Sequence, residues 1–136
     1  MLEHEQWLRI AKEDLAVAKI LLKEEFFSSV TYHSQQAAEK SLKAFLAFKS
    51  RPIIKTHNLL KLIELCIAID REFQKLFDAA DYVNPFSTKF RYPDEFSIPD
   101  FKDAELAIKH AQNIMAFVVK KIAVHGTENQ QDIFEK

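Results

Sequence analysis

A chain of 136 residues with 48% apolar content and a net charge of −1 has the length of one domain and the material of a packed core. One glycine, four prolines and one cysteine exclude a sheet of many tight turns and a disulfide scaffold. No apolar run approaches the ~20 residues needed to cross a bilayer and no signal peptide is seen, so a cytoplasmic protein without a membrane partner is expected.

The first helix is predicted from about His4 to Glu25, with Trp7, Leu8, Ala11, Leu15, Ala18 and Leu22 on one side. Asp14 falls inside that apolar arc, where a carboxylate without a partner is costly. Tyr32, Gln35, His33 and Lys40 on the next helix are its candidate partners; the alternative is that it reaches water at the arc's edge. The second helix, about Ser28 to Lys49, has a wide apolar and small-residue arc from Ser34 to Phe48 and a narrow polar strip of His33, Gln36, Glu39, Lys40 and Lys43. An arc that wide predicts a central helix packed on more than one side. Pro52 disfavours helix at Arg51, and Thr56 is the expected cap of a third helix covering about His57 to Ile69. A further helix is expected near Arg71–Tyr82, broken by Asn84-Pro85. Phe86–Pro99 is predicted to be an ordered loop pinned by its aromatics. Asp100 is the expected cap of the last helix, which should end near Val124 before His125-Gly126. The chain is therefore expected to be all-α: an up-and-down helical bundle of four to five helices over residues 1–124, with a long ordered loop before the last helix and a flexible polar tail at 125–136.

Little conventional chemistry is visible. The histidines His4, His33, His57, His110 and His125 sit on separate elements with no ligand-pair spacing, so no metal is expected, and no cofactor is implied. A phosphate-binding glycine loop and a serine nucleophile elbow are both absent. From Lys40 to Lys61 there are six basic residues and no acid, a run suited to holding phosphates or simply a solvated loop. Arg91, between aromatics and Pro93, can present a rigid planar fork to phosphate or carboxylate, or tie its own loop to Asp94 or Asp14. Arg51 and His57, at opposite ends of a short loop, supply the guanidinium and titratable imidazole that metal-free RNA cleavage would need, and are the candidate catalytic residues.

With those residues in view the chain resembles the HEPN superfamily (higher eukaryotes and prokaryotes nucleotide-binding domain) over about residues 5–124. The carriers are Ala11-Lys-Glu-Asp-Leu15 with Ala18, His33-x2-Gln36-Ala-x-Glu39-Lys-x-Leu42-Lys-Ala44, Thr56-His-Asn-Leu59 and Arg91-Tyr-Pro93. The resemblance implies a helical bundle that commonly forms a homodimer, often encoded with a minimal nucleotidyltransferase as a toxin and antitoxin pair. It also implies metal-independent RNase activity where an arginine is followed, after four to six intervening residues, by a histidine near the start of the last helix. Arg91 matches that arginine, but positions 96–98 are Phe, Ser and Ile.

The resulting expectation is a protein that binds nucleotide or RNA phosphate, a minimal nucleotidyltransferase partner, or both, without RNase activity. Arg91 and Lys40 would hold phosphate, His33 and Gln36 would bond base or ribose, and Asp14 would orient one of them. An active endoribonuclease toxin and a ligand-free helical interaction module are the alternatives.

Overall fold

The computed structural model describes the backbone of residues 1–93 and 98–135 and the side chains of residues 1–93 and 98–124. Five α-helices form the molecule: α1 (Glu3–Lys23), α2 (Phe27–Phe48), α3 (Leu59–Ile69), α4 (Phe77–Val83) and α5 (Phe101–Glu135). Two 3-10 turns, Arg71–Leu76 and Asn84–Ser87, flank α4, and no strand occurs among the described residues. No helix among them is long and apolar enough to cross a membrane.

α2 is the axis of the bundle, packing against α1, α3, α4, α5 and the Asn84–Ser87 turn. The reason lies in its composition. Ala37, Ala38 and Ala44 let neighbouring backbones approach, while Val30, Leu42, Phe45 and Leu46 fill the spaces between them, all 0–1% exposed. Each of those larger side chains contributes about 1.5–3 kcal/mol by leaving water. α1 returns antiparallel along α2, bringing Asp14 opposite His33 and Lys40. The loop after α2 doubles back, so α3 runs beside α2 in the same sense. His57 then lies against Glu39, and the Cys66 thiol lies 4.0 Å from the Leu42 carbonyl. Burial pushes that thiol up to about 12, the state of an inert core cysteine. α5 also runs with α2: Phe101 meets Phe27 at its start, and Phe117 meets Phe73, whose ring lies tilted against Phe45 at 4.4 Å.

Several ends differ from the sequence expectation. The cap of α3 is Asn58, whose side chain accepts from the Leu60 and Lys61 amides, while Thr56 accepts from the Asn58 amide. Asn84 completes the junction, its Oδ1 accepting from the Leu59 amide at 2.7 Å. α4 ends at Val83, before Asn84-Pro85 as expected, and the chain goes on as a 3-10 turn, whose first turn proline fits because its missing N–H is not needed there. Asp100 caps α5 as expected, in a reciprocal box with Asp103 at 2.8 and 3.0 Å. α5 does not end at His125-Gly126 but continues to Glu135. A glycine inside a helix costs only about 1 kcal/mol, and no proline follows it. The side chains of the expected tail lie outside the described residues.

Candidate functional site

Asp14 finds both partners on α2. Its Oδ1 accepts from His33 Nδ1 at 2.9 Å and its Oδ2 from Lys40 Nζ at 2.6 Å. A carboxylate only accepts, so the bond assigns the proton to Nδ1 and leaves Nε2 of a neutral His33 as a lone pair. His33 and Lys40 lie two turns apart on one side of α2, which is why one carboxylate on the facing helix can hold both.

Arg91 joins this group through Tyr32. Its guanidinium lies 3.9 Å from the centre of the Tyr32 ring, and that ring lies 5.3 Å from the His33 ring. The loop is built to place it. Pro85 accepts from the Thr88 and Lys89 amides, Thr88 accepts from the Arg91 amide, and Phe90 stacks on Phe86 at 5.7 Å. Phe90 takes a left-handed backbone, φ 69°, which a bulky residue adopts at a cost of about 1–2 kcal/mol. Arg91 is exposed and makes no ion pair among the described residues; Asp94 lies outside them. Asp14 is already bonded to His33 and Lys40 and is not Arg91's tether.

The polar strip of α2 therefore divides. Gln36, expected to face a ligand, turns inward: it is 8% exposed and donates to Gln35 Oε1 at 2.8 Å. Gln35 donates to the His57 carbonyl at 3.0 Å. Glu39, almost wholly buried, accepts from Lys43 Nζ at 3.0 Å and from His57 Nδ1 at 2.8 Å. Lys43 in turn lies over the Trp7 ring of α1. This network satisfies a buried carboxylate with two donors and ties the start of α3 to α2. It leaves the His57 ring 73% exposed.

Arg51 and His57 have different neighbours. Arg51 borders an apolar cavity of ≈ 330 Å³ lined by Leu46, Pro52, Ile54, Leu65, Ala68 and Ile69. His57 sits against Glu39, about 10 Å of helix rise earlier on α2. The sequence reading missed Tyr32 as the platform for Arg91, although it directly precedes His33. It also missed the inward network, whose signal is Gln35, Glu39 and Lys43 at successive four-residue steps. No cluster of metal-ligating side chains occurs among the described residues.

Residues 4–122 match the model of the HEPN domain. The chain belongs to the HEPN domain family. This HEPN chain is similar to a protein of Methanocaldococcus jannaschii named "Putative toxin MJ1304", 26% identical over 127 residues that span 82% of this chain and 83% of that one. Among solved structures it resembles TT1696 from Thermus thermophilus, with a TM-score of 0.76 and 27% identity over 89% of this chain and 99% of that one. It also shares the fold of ST0689, an archaeal HEPN homologue, with a TM-score of 0.72 at 24% identity over 90% and 99%.

Proposed function

We propose that this HEPN protein acts as a toxin-type partner that binds the phosphate of a nucleotide or RNA at the Arg91–Tyr32–His33 face. The observation that carries it is Arg91: an exposed guanidinium, free of carboxylates among the described residues, stacked on an aromatic ring beside a histidine of fixed tautomer. Such a fork suits phosphate oxygens, and its stacking limits the entropy lost on binding. With Nδ1 bonded to Asp14, Nε2 of a neutral His33 is left as an acceptor for a ribose or base donor. Lys40 is bonded to Asp14, so its role is to set the Asp14–His33 geometry as well as to add positive charge. Binding rather than cleavage follows from positions 96–98, where the family's RNase pattern would need a histidine. A homodimer and a minimal nucleotidyltransferase partner complete this reading, supported by family membership and by the toxin name of the archaeal relative.

Titrating labelled nucleotide or short RNA against wild type and Arg91→Ala tests the site. Loss of one charge-assisted phosphate contact is expected to weaken binding by about 1.5–3 kcal/mol, roughly 10- to 150-fold. Equal affinities would remove Arg91 from the site.

A second reading, endoribonuclease, draws on one specific observation. The Asp14–His33 pair is a carboxylate-oriented imidazole, the arrangement that readies Nε2 to take a proton. Under it, RNA incubated with wild type in chelator yields fragments that disappear in His33→Gln. Intact RNA with wild type leaves the binding reading alone.

A further inference from the structure

The apolar cavity of ≈ 330 Å³ at the far end of α2 has no part in the Arg91 face. Leu46, on its wall, stands roughly 20 Å of helix rise beyond Tyr32, so the two places do not share a small ligand. Two walls form it. One is the loop that leaves α2. The Arg51 amide donates to the Leu46 carbonyl at 2.9 Å across the left-handed Ser50, which sets Arg51 beside Leu46. Pro52 stiffens the loop, and Ile54 completes this side. The other wall is the end of α3, with Leu65, Ala68 and Ile69. Leu65 is 37% exposed and Ala68 is exposed too, so the space between the walls opens to solvent. The small side chain of Ala68 leaves room that a larger one would take up.

Arg51 is the one charged residue of the lining. It is exposed, and its side chain makes no ion pair or hydrogen bond among the described residues. The loop from Ser50 to Thr56 contains no acid. Asp70, next to Ile69, is bonded to Lys121 at 2.8 Å, and Glu64, next to Leu65, is exposed and outside the lining. An apolar hollow with one unpaired guanidinium suits a ligand that is apolar for most of its length and carries one negative charge. A planar carboxylate meets the guanidinium fork with two parallel bonds, whereas a phosphate dianion there would be only half neutralised. The volume, ≈ 330 Å³, stands at the low end of small-molecule sites, which span about 300–1,000 Å³, so one short chain fills it.

We infer that this cavity binds an aliphatic monocarboxylate, its short chain against Leu46, Ile54, Leu65 and Ile69 and its carboxylate on Arg51.

Calorimetric titration of butanoate, hexanoate and octanoate into the full chain, below micelle-forming concentrations, tests this. Affinity should rise by up to about 4-fold for each methylene buried. Octanol has the chain without the charge and should bind about 10-fold more weakly than octanoate. Arg51→Gln should bring octanoate down to the octanol level while the gain per methylene stays. Ala68→Phe fills the cavity from an exposed position and should abolish binding of the whole series, with thermal melts to check that both variants fold. Arg91→Ala should bind octanoate as wild type does. No saturable octanoate binding by wild type, octanol binding as tightly as octanoate, or wild-type affinity in either cavity variant overturns the inference. So does a wild-type dimer that Ala68→Phe turns into monomers, since the cavity would then belong to a second copy of the chain.

Discussion

Ser34 is fully buried on α2, one residue past His33, and its hydroxyl has no hydrogen-bond partner among the described residues. A buried hydroxyl without a partner costs about 1–3 kcal/mol. Ser34→Ala removes the hydroxyl, changes volume little and improves helix propensity. It is therefore expected to raise stability by about 1 kcal/mol in urea unfolding, with ligand affinity unchanged. A destabilised variant would mean that Ser34 is bonded in solution. Arg91 is a contrasting case at the same scale. Its placement depends on Phe90 holding a left-handed backbone while its ring stacks on Phe86. Strain of that kind persists where surrounding contacts over-determine it, and here it fixes the direction of the arginine. Asp14's partners were legible in the sequence because a carboxylate inside an apolar arc demands a donor from the facing helix. Which polar residues of α2 would face out was not legible. Gln36 and Glu39 stand beside Lys40 on one strip, yet Glu39 turns inward to His57 at the start of α3, and Gln36 to Gln35, which itself donates to the His57 carbonyl.

Helix ends show the same division between what composition announces and what packing imposes. With one glycine in the chain, the ends of α1 and α2 are closed by Glu25 at φ 62° and Ser50 at φ 57°. Both ends make the paired bonds of a Schellman motif. Phe26 donates to the Leu21 carbonyl and Glu25 to that of Leu22; Arg51 donates to Leu46 and Ser50 to Ala47. The motif normally takes glycine, since other residues lose about 1–2 kcal/mol in left-handed backbone. Ser50 is exposed, and no side-chain bond of its own compensates among the described residues. Ser50→Gly should thus stabilise the protein by about 1 kcal/mol, less the extra freedom glycine gives the unfolded chain. A lower unfolding midpoint in guanidinium would show that the left-handed turn opens in solution. Both ends were still legible in the sequence: the expected Glu25 and Lys49 lie close to the observed Lys23 and Phe48, the second because Pro52 disfavours helix at Arg51. The central position of α2 was legible too, since its apolar arc is too wide for a surface helix. The cap of α3 was misplaced by two residues because Thr56 and Asn58 are both good cap formers, and the Asn84 contact that selects Asn58 is non-local.

Across the whole molecule, five groups whose titration is shifted by the fold bound the pH range in which it is most stable: His110, Asp100, Cys66, Tyr82 and Lys121. His110 lies against Tyr82, and its pKa is lowered from 6.5, first by burial and then by Lys109. The unfolded chain therefore takes up that proton before the folded one, and stability declines as pH drops below about 6.5. Asp100 is held below 3.8, chiefly by the backbone hydrogen bond from Asp103, so its contribution is present above that value and lost as pH falls through the lower folded one. On the alkaline side, Tyr82 is raised above 10.0 by burial, and Lys121 above 10.5 by its hydrogen bond to Asp70, 2.8 Å away. The unfolded tyrosine loses its proton first, which costs stability above about 10. The Lys121 contribution is whole below 10.5 and disappears as pH climbs through the raised folded value. The Cys66 thiol, which burial holds up to about 12, ionises earlier still in the unfolded chain, from about 9.0. The plateau therefore runs between about pH 6.5 and 9, with His110 setting the onset of its acid shoulder. In His110→Phe the ring still packs on Tyr82 but no longer titrates. Urea midpoints of wild type should drop between about pH 7.5 and pH 5, while those of His110→Phe should drop less over the same interval. If the two fall in parallel, the acid shoulder belongs to other groups and His110 is protonated without cost in the folded protein.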